Sequence, residues 1–233
     1  MADALRNPKP WIALVCLLPA IRLAWLGVTD GLGANPIEFV TRSTGTWTLV
    51  GLLVTLAITP LRRLTGQWGL IRYRRMLGLF AFFYASLHGL TYFWLDQFFD
   101  FAAIVRDIVK RPFVTVGFAA LVLLVPLAAT STQAMMRRLG RNWQRLHRLI
   151  YPVALLGVVH YLWLVKKDLT EPLIYGIVLG ALLALRLPWA VAWMDGLRSG
   201  FAAARYNGRG RGEATTRAAE KVETGAHLGS EAK

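Results

Sequence analysis

The chain has 233 residues, 55% of them hydrophobic, a mean hydropathy of +0.44 and a formal net charge of +14. So much apolar surface excludes a soluble globular domain and leaves a multi-pass membrane protein. The excess of Lys and Arg is not a nucleic-acid footprint, because these residues lie between the apolar runs and in the C-terminal tail rather than on one compact basic face.

In chain order, six segments are long enough, or nearly so, to cross roughly 30 Å of hydrocarbon. They are residues 11–28, 45–61, 76–95, 112–130, 149–165 and 172–193, the fifth being the shortest. The first follows Arg6 and Lys9 as a signal peptide would, but no small-x-small cleavage site follows it, so it reads as a retained helix. It carries the single cysteine, Cys16, which leaves no intrachain disulfide and no cysteine-based metal site. The loops are short and carry turn residues (Asn35-Pro36, Gly66, Gly69, Gly140), as neighbouring antiparallel helices require. Loops 62–75 and 131–148 hold five arginines each and no acid, whereas 29–44, 96–111 and 166–171 together hold six Lys or Arg against seven acids. The positive-inside rule puts the arginine loops and both termini in the cytoplasm. The expected fold is therefore an all-α, polytopic bundle of six transmembrane helices over residues 1–196. From 197 to 233 the composition turns to Ala, Gly, Arg, Glu, Thr and Lys, which predicts a disordered cytoplasmic tail. His227 lies in it and is assigned no role. No internal repeat and no dinucleotide-type glycine fingerprint is evident.

Three histidines fall in or beside apolar segments, where an imidazole is costly unless something holds it. His88 lies twelve residues beyond Met76 and His160 twelve beyond Arg148. Both helices run outward, so each ring stands about 18 Å above the cytoplasmic boundary. Two imidazoles at one depth on two helices suit a six-coordinate haem, with small neighbours (Ala85, Ser86, Gly89, Gly157) leaving room for the macrocycle. The alternative is two unrelated histidines, each hydrogen-bonded inside the bundle.

His147 sits at the opposite depth, and the position on the third span that would pair with it is Arg75. On one straight helix His147 and His160 would lie roughly 140° apart, a phase that a kink at Pro152 would change. Arg74 and Arg75, beside Arg145 and Arg148, make a cationic pocket suited to the phosphate of flavin mononucleotide (FMN), or else set topology and meet anionic lipid headgroups. Arg22, inside the first segment, either partners a haem propionate or snorkels to the outer interface. Arg186 is expected to snorkel at the cytoplasmic side. Loop 96–111, with Asp96, Asp100 and Asp107, is a candidate docking surface or simply a solvated loop.

Five blocks then carry a resemblance: NPIEFVTRSTGTW (35–47), ITPLRRL (58–64), YRRMLGLFAFFYASLHGLTY (73–92), LAATST (127–132) and LGRNWQRLHRLIYPVALLGVVHYLW (139–163). Together they resemble the MsrQ (YedZ) family, haem-binding membrane subunits of the bacterial periplasmic methionine sulfoxide reductase system and minimal relatives of ferric reductase and NADPH oxidase transmembrane domains. The resemblance covers about residues 8–195. It implies an inner-membrane electron-transfer subunit rather than a catalytic one. Electrons would pass from the quinone pool through haem b, and FMN, to a periplasmic molybdopterin-containing methionine sulfoxide reductase, the partner in a heterodimer. By similarity His88 and His160 are haem ligands, His147 is a third haem-associated histidine, and Arg74 and Arg75 are flavin candidates. The competing expectation is a ferric reductase-like or NADPH oxidase-like cytochrome fed by a separate cytoplasmic flavin reductase.

Overall fold

The computed structural model describes residues 8–165 and 167–199, so the expected tail from residue 200 onward, with His227, lies outside the described residues. Among those residues all regular structure is helical. Helix α1 spans Lys9–Val28 and α2 spans Pro36–Thr65. A single turn of 3-10 helix, Trp68–Leu70, leads into α3, Ile71–Leu90, which continues as a π-helical turn over Thr91–Asp96. Then follow α4 (Phe101–Lys110), α5 (Pro112–Ala129), α6 (Gln133–Leu139), α7 (Arg141–His147), α8 (Ile150–Leu164), α9 (Thr170–Ala184) and α10 (Pro188–Ser199).

Helix α2 begins nine residues before the apolar run that revealed it. Asn35 accepts from the Glu38 backbone N–H at 3.3 Å and donates to the Glu38 carboxylate at 2.9 Å, with Pro36 in the first helical position. These are start signals rather than the turn expected there. Gly66 closes the helix in the left-handed conformation (φ 70°), donating to Arg62 O, while Arg62 and Arg63 face the negative end of the dipole. At about 45 Å, α2 overhangs any bilayer core.

The core is built from α2, α3, α5 and α8: Leu49, Leu52, Leu53 and Leu56 meet Ala81 and Ala85, Leu124 and Leu127, and Val153, Ala154 and Val158. Small residues let the backbones close in. A Cβ on Gly51 would stand 3.0 Å from the Ala81 Cα, so this crossing needs glycine. Outside the core, large apolar side chains face outward all along the spans, as lipid-facing surfaces require.

Among the described residues four helical segments are long and apolar enough to cross a membrane: Lys9–Val28, Pro36–Thr65, Trp68–Asp96 and Pro112–Ala129. The expected fifth span is the 15-residue α8, about 22 Å long and shorter than the hydrocarbon core. The expected sixth is a pair, α9 and α10, bent by 76° at residues 185–187 and counting at most as one broken span. Two further expectations change. Loop 96–111 holds α4, capped by Asp100 on the Ala103 N–H; it buries Ile104 while Phe101, Val105 and Val109 are 74%, 60% and 78% exposed. The helix break lies at Arg148-Leu149, not at Pro152, which sits in the first turn of α8 where it removes no internal hydrogen bond.

Among the described residues three prolines lie inside helices, Pro19, Pro60 and Pro126, and at the first two distant side chains fill the opened backbone ladder. Beside Pro19 in α1, the Tyr84 hydroxyl donates to Cys16 O at 2.7 Å and accepts from Ala20 N–H at 3.2 Å, splicing itself into one backbone bond. Pro60 in α2 has no N–H for the Leu56 carbonyl, and Arg186 supplies one at 2.6 Å from Nη2, with Nη1 on the Tyr151 hydroxyl at 3.0 Å. Arg186 therefore turns into the bundle instead of snorkelling. Since α1 buries only Pro19 and Leu23, Tyr84 is its main polar tether. Tyr84→Phe should speed hydrogen exchange in α1 selectively while leaving α2, α3, α5 and α8 protected; unchanged exchange in α1 would contradict the tether.

Candidate functional site

His88 on α3 and His160 on α8 come together with ring centroids 6.0 Å apart and planes inclined at 77°. Each ring is anchored at one nitrogen only. His88 Nδ1 lies 2.9 Å from Thr41 O on α2, and His160 Nδ1 lies 2.7 Å from Phe113 O on α5. A backbone carbonyl can only accept, so both Nδ1 atoms carry the proton and both Nε2 atoms keep a lone pair. This is the outer-shell arrangement that orients a ligating imidazole and raises its basicity. A metal held about 2 Å from each of two facing imidazole nitrogens puts ring centroids about 6 Å apart. The pair fits a bis-imidazole metal centre, and its nitrogen donors suit a haem iron.

The rings reach those carbonyls because glycine stands one turn further along each helix. A Cβ on Gly45 would meet His88 Cε1 and Nδ1 at 3.2 Å, and one on Gly117 would meet His160 Nδ1 at 2.6 Å and Cε1 at 2.8 Å. The sequence reading missed both glycines, and with them a shared spacing. Each carbonyl precedes its histidine by 47 residues and each glycine by 43. Thr41, Gly45 and His88 thus map onto Phe113, Gly117 and His160 with one constant offset. α2 with α3, and α5 with α8, are two hairpins each presenting one imidazole. Side-chain identity hides this, because Thr41 and Phe113 contribute only their backbones.

The other candidates lie apart from the pair. His147 ends α7, stacked on Trp143 (centroids 3.9 Å, 29°), with Nε2 3.5 Å from Ser131 Oγ and Nδ1 buried without a hydrogen-bond partner. Burial lowers its pKa from the ordinary histidine value, and the Arg74 charge adds to this, so at neutral pH the ring is uncharged. Arg74 is half-buried near His147 and Arg186, whereas Arg75, Arg145 and Arg148 are exposed. Arg22 is exposed on α1 and has no hydrogen bond or ion pair among the described residues; the structure does not turn it toward the histidine pair.

Fold and site together define a multi-pass helical membrane protein with a paired-imidazole centre between two hairpins. Residues 44–158 match the family described as the ferric reductase like transmembrane component. A protein-methionine-sulfoxide reductase heme-binding subunit MsrQ from Bordetella pertussis is 58% identical over 193 residues, 82% of this chain and 92% of its own length. Those of Herminiimonas arsenicoxydans and Rhodospirillum rubrum are also 58% identical, over 78% and 77% of this chain and 85% and 87% of their own. No solved structure matches the chain. The chain belongs to the MsrQ family.

Proposed function

We propose that this chain is the haem b electron-transfer subunit of a methionine sulfoxide reductase system, in which His88 and His160 would hold the haem iron. The observation that carries the reading is the pair of imidazoles 6.0 Å apart, each held by a carbonyl at Nδ1 with Nε2 free. The relatives' names, which call them heme-binding subunits, support it. Haem bound here supplies one-electron exchange at iron. The protein's part is to fix the ligands, exclude water and tune the centre by hydrogen bonding and low dielectric. Thr41 and Phe113 hold the rings in one tautomer, and the apolar walls of α2, α3, α5 and α8 keep solvent out.

In this reading the chain crosses the bacterial inner membrane six times with both termini cytoplasmic, α8 and the bent α9–α10 pair completing the count. It passes electrons from the quinone pool to a periplasmic molybdopterin-containing methionine sulfoxide reductase, with which it forms a heterodimer for repair of oxidised envelope proteins. FMN at the cytoplasmic face, near Arg74, completes the chain of carriers. His147 serves electron entry at that face rather than ligating the outer iron.

The deciding experiment is a visible spectrum of the purified protein with haem counted per polypeptide. A Soret band with α and β bands sharpened by dithionite is expected; a colourless, folded protein would end the redox reading. His147→Ala should leave that spectrum intact while slowing reduction by a quinol analogue, because the ring lies at the other end of the bundle. A Soret band lost in His147→Ala would instead make it a ligand.

A further inference from the structure

The face of α4 turned away from the bundle is apolar and uncovered among the described residues. Phe101, Val105 and Val109 follow at four-residue intervals, a stripe that turns only about 40° per step, and all three are exposed. Just ahead of the helix Phe98 is 78% exposed and Phe99 half exposed, and Trp94 stands out from the preceding helical turn. Phe98 and Phe99 both have left-handed backbones, with φ of 46° and 58°, a region that L side chains enter at a cost. Bonds from Phe99 N–H to Phe93 O and from Asp100 N–H to Gln97 O hold this turn, and it leaves both rings exposed rather than packed. The opposite face of α4 is bound down. Ile104 is buried, the Tyr92 hydroxyl donates to Asp107 at 3.4 Å, and the Thr115 hydroxyl donates to Ile108 O. A contiguous apolar patch of this kind marks an interaction surface.

We propose that α4 is an interfacial helix, lying in the plane of the membrane surface at the His88–His160 end of the bundle with its apolar stripe sunk among lipid chains. The links fix its position. Arg111 alone separates α4 from Pro112, where the span α5 begins, and residues 97–100 join it to the Trp68–Asp96 span. Its rise of about 15 Å is too short to cross the hydrocarbon, so a helix tied this closely lies along the surface. A protein partner would need the stripe to stand clear of the lipid, which a one-residue link to α5 does not allow. The charges complement a lipid surface as well. Arg106 and Lys110 are exposed, stand roughly 100° round the helix from Val105 and Val109, and have stems long enough to reach headgroup phosphates. Asp107, the one acid on α4, is on the bound face and pairs with Arg111 at 3.4 Å. The stripe also continues the lipid-facing sides of its neighbours, Trp94 before it and Phe118 and Val122 after it. Since Tyr92 lies one turn beyond His88 and bonds to α4, the embedded helix sets the depth of that histidine below the surface.

The test places single nitroxide labels on the full chain in nanodiscs of phosphatidylcholine and phosphatidylglycerol, in a Cys16→Ser background because Cys16 is the one native cysteine. The labelled variants are Phe101→Cys, Val105→Cys, Val109→Cys, Arg106→Cys and Lys110→Cys, with Val122→Cys on α5 as the hydrocarbon reference. Power-saturation EPR compares collisions with oxygen, which partitions into lipid, and with a water-soluble nickel chelate. High oxygen and low nickel access is expected at positions 101, 105 and 109, approaching the Val122→Cys reference, and the reverse at 106 and 110. Adding Val105→Asp and Val109→Asp to the Phe101→Cys variant should raise its nickel access several-fold at wild-type helicity, because both side chains already face away from the fold. The proposal is overturned if the three apolar positions are as open to nickel as position 106, which would make α4 a solvated loop helix. It is equally overturned if they are shielded from both reagents, which would make the stripe a contact with a second copy of the chain.

Discussion

Replacing either His88 or His160 with alanine should give a folded membrane protein without haem. The reason is geometric. Each imidazole is locked by its own carbonyl bond, 2.9 Å for His88 and 2.7 Å for His160, and the surviving ring cannot swing to serve both faces of a metal. No substitute ligand stands by: no group of three or more His, Cys, Asp or Glu able to hold a metal exists among the described residues. His147 is engaged with Trp143 and Ser131 elsewhere. Haem per polypeptide, measured by pyridine haemochrome on protein of wild-type helicity, should fall to background in both variants. Full occupancy in either one refutes the ligand assignment.

Gly117→Ala should be nearly as damaging although it removes no ligand. The new methyl would lie 2.6 Å from His160 Nδ1 and 2.8 Å from Cε1, closer than real side chains approach. The ring must leave Phe113 O, and the imidazole loses the bond that fixes its tautomer. Overpacking of this kind costs about 1–3 kcal/mol, so haem affinity should drop by about ten- to a hundredfold. Gly45→Ala is the internal comparison. At 3.2 Å from the His88 ring it asks for a shift of a few tenths of an ångström, so this variant should keep haem but with an altered midpoint potential and altered low-spin EPR signals. Full haem with an unchanged EPR spectrum in Gly117→Ala would show that the glycine is only a packing residue.

The depth match of His88 and His160 was legible in the sequence because helical rise is regular and they lie twelve residues past Met76 and Arg148, at the cytoplasmic ends of their segments. Helix α4 was not, since a short helix that buries little more than Ile104 leaves a mixed pattern in which three acids dominate the reading. The start of α2 was hidden for a related reason: hydropathy marks where the hydrocarbon begins, whereas Asn35 and Glu38 mark where the helix does. Arg186 was misread because its partner is a carbonyl freed by a proline 126 positions earlier, a relation no local window contains. The glycines escaped for the opposite reason: their role is to be absent as side chains.

The constant offset between the two hairpins has a consequence for tuning. A metal held by His88 and His160, as proposed, would receive the same help from each half: one imidazole, one peptide oxygen, one missing methyl. Whatever would distinguish the two imidazoles toward such a metal must come from where the halves diverge. Those places include the wide-bore turn over Thr91–Asp96, against the abrupt end of α8 at Leu164, and the Phe113 ring 6.3 Å from His160, where Thr41 instead donates its hydroxyl to Thr91. If the pair holds haem as proposed, substitutions in one hairpin would reset its redox poise while the other hairpin kept its imidazole in register.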